Sequence, residues 1–287
     1  MSALTFGLIL VAALLHATWN VLAKRARGGV AFIWLCFAVS VVAYLPVVVV
    51  AYVLLRPRLG PIDAVFIVGN GIIHIAYFLL LQRGYRDGDL SLIYPLARGS
   101  GPLLSSIAAV VIFAERPSLL AYVGIALVVA GIFIGSAGPA AQAGARANRI
   151  SIAYGLATGA SIAAYTLWDK YSVSTLAISP IVYDYWGNAV RTLLLMPLAL
   201  TKRAELRETW KRVRSEIVGI AVLSPLAYLL ILWALIAAPV SVVAPAREIS
   251  IVFGAVLGVR LFGEAAGRRR VAAAVVIFAG IAALARG

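Results

Sequence analysis

Long apolar segments constrain the fold of this sequence more than any other feature. Ten of them reach about 20 residues, the length that an α-helix needs to cross ~30 Å of hydrocarbon. The strands of a membrane barrel would be about ten residues long with alternating polarity, which is a different pattern. The sequence therefore predicts an all-α polytopic membrane protein with ten transmembrane helices. The segments fall at 3–23, 31–55, 62–83, 89–113, 118–136, 150–170, 180–200, 216–236, 240–262 and 269–285.

Composition and charge agree with a membrane protein. The chain is 63% hydrophobic and 13% charged, whereas a soluble domain is about half apolar and a quarter charged. The formal charge of +14 would suggest a nucleic-acid partner in a soluble protein. Here, connections after odd-numbered segments carry seventeen Lys and Arg residues, and the other connections and termini carry five. We therefore expect no nucleic acid, odd connections in the cytoplasm, and a location in the inner (plasma) membrane.

The two halves of the sequence match at an offset of 149 to 151 residues. Each half contains five apolar segments, and an odd number forces the two copies into opposite orientations. The sequence thus predicts two inverted five-helix repeats, at 1–136 and 150–287, joined by a linker at 137–149. The matched pairs are Trp19 with Trp168, Asn20 with Asp169, Tyr77 with Tyr228, Ser91 with Ser241, Pro95 with Pro245, Arg98 with Arg247, Glu115 with Glu264 and Gly131 with Gly280.

This pattern resembles the EamA-type transporters of the drug/metabolite transporter superfamily. The resemblance rests on ten segments, two five-segment repeats, and a proline-containing fourth segment that ends in Phe113-x-Glu115. It covers essentially the whole chain. It implies proton-coupled or exchange transport of small metabolites, often export of amino acids or related compounds, through a cavity between the repeats. The substrate is not fixed by the resemblance.

Arg98 and Arg247 are the leading candidates for substrate binding. An arginine at membrane depth costs roughly 2.5–3.5 kcal/mol, and neither residue is near a segment end where its side chain could reach water. Both could hold a carboxylate or phosphonate with paired hydrogen bonds. The alternative is structural, with Arg98 paired to Glu248. Gly99, Gly101 and Pro102 after Arg98 are expected to loosen the helix and expose backbone groups.

Polar and aromatic residues on the same segments form the rest of the predicted site. His16, Trp19 and Asn20 share one face of the first segment, and Tyr165, Trp168 and Asp169 share the equivalent face of the sixth. Such faces are expected either to line the cavity or to pack helices together. The complete set of predicted substrate-binding residues is Arg98, Arg247, His16, Trp19, Asn20, His74, Tyr77, Tyr94, Tyr165, Trp168 and Tyr228.

The acidic residues divide into two groups. Glu248 is the first candidate for a proton carrier, because burial and a neighbouring arginine act on its carboxyl in opposite directions, and Asp169 is the second. Glu115 and Glu264 end their segments beside Pro117 and Gly263, so we expect them to cap the following helix or organise a turn.

A secondary transporter of a small anionic or zwitterionic metabolite, such as an amino acid, is the favoured function, with export by alternating access. An organic-phosphate or phosphonate exchanger is an alternative. An intramembrane enzyme acting on a lipid intermediate is disfavoured, because the chain has two histidines and no His-Glu-x-x-His motif. A passive channel or an assembly scaffold stays open. We expect no catalytic residues, metal or cofactor. The expected partners are the substrate, lipid and protons, with a homodimer left open.

Overall fold

The computed structural model describes residues 1–26, 28–136, 145–262 and 268–287, and no strand occurs in those ranges. Helices make up 89% of the structure. One π-helical turn, Tyr171–Thr175, follows α6 directly. The helices are α1 (Ala3–Ala26), α2 (Val30–Leu55), α3 (Pro61–Asp87), α4 (Leu90–Ile112), α5 (Leu119–Ser136), α6 (Ala145–Lys170), α7 (Pro180–Leu200), α8 (Arg203–Ala237), α9 (Val240–Ala246), α10 (Ile249–Phe262) and α11 (Arg268–Arg286).

Seven helical segments of the described chain are long and apolar enough to cross a membrane. Two shorter apolar helices, Leu119–Gly135 and Val271–Arg286, lie in the fifth and tenth predicted segments. The seventh predicted segment corresponds to α7, whose hydropathy is reduced by Asp184, Asn188 and Arg191. The all-helical membrane class is therefore confirmed, and the count of ten spans stays a prediction.

Three boundaries differ from those expected. The helix α6 begins at Ala145, inside the expected linker, of which residues 137–144 lie outside the described part of the chain. Helix α8 joins the eighth segment to the charged connection before it, residues 203–215, with a kink at Val213. The ninth segment is divided between α9 and α10 by a turn at Arg247 and Glu248, where the amides of Glu248, Ser250 and Ile251 bond carbonyl oxygens three residues back.

The expected loosening of the helix after Arg98 was wrong. Helix α4 continues through Gly99, Gly101 and Pro102 to Ile112. The break falls instead in the matching segment of the second half, where Arg247 and Glu248 form the turn between α9 and α10. The two copies of this segment thus have different backbones, and the charged turn belongs to the second half alone.

Close contact between glycines joins α5 to α11. A β-carbon at Gly124 would lie 2.7 Å from the carbonyl oxygen of Gly280, and one at Gly131 would lie 3.1 Å from that of Ala273. The partner position falls by seven residues as α5 advances by seven, so the two helices are antiparallel. Gly124 and Ala273 occupy equivalent positions in the two halves, as do Gly131 and Gly280. Exchanging the halves therefore turns the contact of Gly124 with Gly280 into the contact of Gly131 with Ala273.

Several of the other large helix contacts also come in exchangeable pairs. Helix α1 packs on α8 as α3 packs on α6, and α4 packs on α6 as α1 packs on α10. Helices α2 and α7 are equivalent in the two halves and pack on each other, so exchanging the halves leaves this contact unchanged. The side chains of α3, α4, α6, α8 and the α9–α10 turn therefore meet in the middle of the molecule.

We expect Gly280→Ala to destabilise the protein by about 1–3 kcal/mol, as overpacking of a close contact does. Its β-carbon would lie 2.8 Å from the carbonyl oxygen of Gly124 and 2.9 Å from the amide nitrogen of Val128, and neither backbone atom can move freely. Gly254→Ala is the matched control, because nothing lies within 4 Å of its β-carbon. Thermal melting in detergent measures both, and equal melting temperatures would contradict the close packing.

Candidate binding site

Two arginines and one glutamate form a buried charged trio at the centre of the protein. Arg98 projects from α4, whereas Arg247 and Glu248 come from the turn between α9 and α10. Arg98 Nη2 lies 3.0 Å from Glu248 Oε2, and Arg247 Nε lies 3.8 Å from Glu248 Oε1. The side chain of Glu248 is 1% exposed and those of the arginines are 12% and 11% exposed. With all three groups ionised, the trio carries one net positive charge.

The hydrogen-bonding capacity of this trio is largely unused. Arg98 Nη2 donates to Ser250 Oγ at 3.4 Å, but Arg98 Nε and both Nε and Nη2 of Arg247 are buried without an acceptor. Both carboxylate oxygens of Glu248 also lack a correctly directed donor. The contacts within the trio are therefore electrostatic with poor hydrogen-bond geometry. Buried donors without acceptors are uncommon in proteins, and these nitrogens can each bond a further acceptor.

Aromatic side chains surround the trio. The guanidinium carbon of Arg247 lies 5.7 Å from the ring centre of Tyr165, within the range of a cation–π contact. Tyr77, Tyr94 and Tyr165 lie within electrostatic range of Arg98, and His16 lies within that range of both arginines. Six of the predicted substrate-binding residues are thus grouped in one region of the structure: Arg98, Arg247, His16, Tyr77, Tyr94 and Tyr165.

His74 connects this trio to a second polar cluster. Its ring stacks on Tyr165 with centres 4.5 Å apart and meets Tyr228 edge-on at 5.6 Å. Its Nδ1 lies 2.9 Å from the carbonyl oxygen of Asn70. Both predicted residues, His74 and Tyr228, therefore lie between the trio and the second cluster.

The second cluster is built around Asp169. Its Oδ1 accepts hydrogen bonds from Asn70 Nδ2 at 2.9 Å and from the Tyr183 hydroxyl at 2.8 Å. Its Oδ2 accepts one from the Tyr228 hydroxyl at 2.6 Å. All three donors are neutral, and three such bonds stabilise the ionised form of a carboxylate. Asp169 is thus a buried acid with both oxygens occupied.

Asp184, Asn188 and Arg191 complete the second cluster, and sequence reasoning missed all three. Arg191 Nη2 lies 3.6 Å from Asp184 Oδ1, and Asn188 Nδ2 donates to the same oxygen at 3.1 Å. Arg191 Nη2 also donates to Asn70 Oδ1 at 3.5 Å. The spacing of i, i+4 and i+7 places these residues on one face of α7, which is a signal the sequence contains. It was overlooked because the first half has no matching charges.

Comparison with known proteins identifies the family. The model of the EamA-like transporter family matches residues 4–136 and again residues 149–286. The chain belongs to the EamA-like transporter family. None of the curated proteins matches the sequence. Among solved structures, a crystal structure of another protein superposes with a TM-score of 0.78, at 13% identity, over 99% of this chain and 96% of its own. That likeness establishes the fold alone.

Three predicted site residues of this EamA-like chain lie apart from both clusters. Trp168 stacks on Phe66 at 4.3 Å, donates its indole hydrogen to the Phe66 carbonyl at 2.8 Å, and so packs α6 on α3. Trp19 packs on a small cluster between α1, α2 and α8, with its ring 4.8 Å from His16. Asn20 is exposed and donates to the carbonyl oxygen of His16 on its own helix.

Glu115 caps a different helix from the one expected. Its carboxylate accepts hydrogen bonds from the amides of Val240 and Ser241, at 2.6 and 3.0 Å, and from the Ser241 hydroxyl at 2.6 Å. The capped helix is α9 of the other half, because the fold brings the end of α4 beside the start of α9. Lys170 binds nearby, donating to the carbonyl oxygen of Ala238 at 3.2 Å. Both contacts hold the α8–α9 turn; Glu264 lies outside the described residues.

We expect Glu115→Ala to lower the free energy of unfolding by about 1–2 kcal/mol, because an N-terminal cap with three donors is lost. Ser241→Ala removes one of those donors and leaves the two backbone bonds, so its effect should be smaller. Thermal melting of the three purified proteins tests the order. A Glu115→Ala protein that melts with the wild type would show that water replaces the carboxylate at no cost.

Proposed function

We infer that this chain, as a member of the EamA-like family, is an integral membrane transporter of the drug/metabolite transporter superfamily. We propose that it is a secondary transporter that exports a small anionic or zwitterionic metabolite, such as an amino acid, across the inner (plasma) membrane. Arg98 and Arg247 bind the acid group of the substrate. Tyr77, Tyr94 and Tyr165 surround the rest of it.

The unused hydrogen-bonding capacity of the two arginines carries this proposal. Three buried guanidinium nitrogens have no acceptor, and the trio holds a net positive charge. A single carboxylate placed between Arg98 and Arg247 would neutralise that charge and accept bonds from both side chains. Glu248 acts as an internal counter-ion that holds the arginines while the site is empty. A structural ion pair would instead be expected to satisfy its own donors.

Alternating access between two inverted five-helix repeats is the proposed mechanism. The antiparallel packing of α5 on α11 supports inversion, since these helices are the last of each half. The exchangeable contacts of the other helices support a two-fold relation between the halves. In such a protein the substrate site lies between the repeats, and their relative movement opens it to one side at a time.

The direction of transport is proposed from the two ends of the molecule. Glu115 and Lys170 bind the α8–α9 turn, which the charge pattern of the connections predicts to be outside the cell. At the other end, Tyr85 and Tyr94 are exposed. We propose that the substrate enters at this end, from the cytoplasm, as export requires.

A ligand screen on purified protein tests this function. Thermal melting is measured with amino acids, organic acids, phosphonates and nucleotides, and each amino acid is compared with its amide, in which the carboxylate is replaced by a neutral carboxamide. We expect amino acids to raise the melting temperature and their amides to have no effect, because the amide cannot accept bonds as a carboxylate does. The best ligand then serves as the radiolabelled probe for uptake into proteoliposomes.

Each other outcome of the screen selects a different function. Stabilisation by phosphonates alone favours the exchanger. Equal stabilisation by acids and amides would contradict the anion site. Chemical conversion of the probe during incubation would favour an intramembrane enzyme, and equilibration without accumulation under any imposed gradient would favour a passive channel.

A further inference from the structure

The two buried clusters carry opposite net charges. Arg98, Arg247 and Glu248 sum to one positive charge, and Asp169, Asp184 and Arg191 sum to one negative charge when all are ionised. An uncompensated charge inside a protein is strongly unfavourable. One bound anion would neutralise the first cluster, and one bound cation would neutralise the second. A transport cycle that binds one anion and one cation would therefore neutralise each of the two clusters.

Asp184 is the acid of the second cluster that has a carboxylate oxygen without a hydrogen bond. Asp169 already accepts three hydrogen bonds that involve both of its oxygens. Asp184, which is 3% exposed, has its contacts with Asn188 and Arg191 on Oδ1 alone. Its Oδ2 has no hydrogen-bond donor among the described residues. A proton bound there would remove the net charge without breaking an existing bond.

A small cleft borders Asp184. It lies between α2, α7 and α8, and its polar lining includes Asp184, Asn188 and Ser40. Ser40 is 3% exposed. Polar groups lining such a cleft can hold the water through which a proton reaches the carboxylate.

We infer that Asp184 is the proton-binding carboxylate of this transporter, reached through the cleft that Ser40 and Asn188 line. The proton joins Oδ2, and the neutral acid retains its contacts with Asn188 and Arg191. This inference rests on the proposed transport function: the substrate anion occupies Arg98 and Arg247 on the way out, and the proton occupies Asp184 on the return. This exchange couples export to the entry of a proton down its gradient.

The surroundings of Asp184 favour a proton over a metal cation. Arg191 lies 3.6 Å from Oδ1 and would repel a sodium ion held by the same carboxylate. No group of three His, Cys, Asp or Glu side chains suited to a metal occurs in the described part of the chain. The titratable or charged groups that face Asp184 are Arg191 and Tyr185 on its own helix, Tyr44 on α2, and Asp169 on α6, with His74 on α3 and Tyr228 on α8 behind them.

Infrared spectroscopy of the purified protein tests the site without a substrate. A pH titration in proteoliposomes should produce the carbonyl band of a protonated carboxyl group, shifted in D₂O. We expect Asp184→Asn to lose that band completely, while Asp169→Asn and Glu248→Gln, the matched controls, retain it. Retention in Asp184→Asn with loss in either control would overturn the inference, as would the absence of any such band in the wild type.

Chemical labelling of the wild type provides a second test that no folding defect can confuse. A hydrophobic carbodiimide reacts with protonated carboxyl groups inside membranes, and mass spectrometry locates the adduct. We expect an adduct on Asp184 that forms at low pH and is suppressed at high pH. An adduct confined to Asp169 or Glu248, or none, would contradict the inference. Replacement of choline chloride by sodium chloride should leave labelling unchanged, and protection by sodium would instead indicate a sodium site.

These readouts separate the inference from the proposed function. Loss of ligand binding in the screen together with a titrating Asp184 would refute the substrate proposal and keep the proton site. Normal ligand binding with no protonation at Asp184 would keep the substrate proposal and refute the proton site.

Discussion

Arg98→Gln should weaken binding of the best amino-acid ligand on the order of 100-fold and abolish uptake. Truncating one member of a buried charge pair costs about 2–5 kcal/mol, and every 1.4 kcal/mol is a factor of ten in affinity. Glutamine keeps much of the side chain's length but has neither the charge nor the forked geometry. The change is measured as the ligand-dependent shift in melting temperature and as uptake into proteoliposomes.

Two further variants separate charge from geometry at Arg98. Arg98→Lys keeps the charge and loses the paired donors, so we expect binding between that of the wild type and that of Arg98→Gln. The double variant Arg98→Gln/Glu248→Gln preserves the net charge of the trio. It should fold well, because no buried carboxylate is left underpaired, and still bind poorly. A folded Arg98→Gln protein that binds and transports normally would refute the anion site.

Glu248→Gln should have the opposite effect on binding. It raises the net charge of the trio from one to two, so the empty protein should melt at a lower temperature and the ligand-dependent shift should increase. Removing one partner of a buried ion pair destabilises by about 3–5 kcal/mol, and a bound carboxylate would restore much of that loss. Uptake should slow, because the variant lacks the Glu248 carboxylate that competes with the bound substrate for the two arginines and so promotes its release.

The pH dependence of the Glu248→Gln protein discriminates between two proton sites. If Asp184 binds the proton, uptake by this variant should still depend on the imposed pH gradient. A variant that binds its ligand normally and has lost only that dependence would return the coupling role to Glu248, which the sequence favoured. Glu205→Gln, in an exposed pair with Lys202 at 3.1 Å, is a control for the loss of a carboxylate far from the site.

Periodic sequence features predicted much of this molecule. The length of the apolar segments predicted the helical membrane class. In lipid only helices and closed β-barrels form all of their backbone hydrogen bonds, and the segments are too long for barrel strands. The cost of charge in an apolar segment singled out Arg98 and Arg247, and both meet at the centre of the structure. The matching offsets also predicted a duplication, which the family model matches in two separate segments.

Other parts of the site depend on contacts that a single sequence does not contain. Trp168 and Arg247 both lie in polar or charged stretches of their segments, yet one packs helices and the other enters the site. Glu115 binds an amide 125 residues further along the chain, and its sequence neighbours gave no sign of that partner. Which face of each helix turns inward is decided by packing against other helices.

The sequence by itself determined that this chain forms apolar helices in two related halves with two central arginines, since these follow from hydropathy, periodicity and the cost of burying charge. Tertiary structure alone decided which charges meet. It placed Glu248 between two arginines, occupied both oxygens of Asp169, and left one oxygen of Asp184 beside a cleft. The reason is physical: the state and the role of a buried charge depend on the few atoms within about 4 Å of it, and those atoms come from distant parts of the chain.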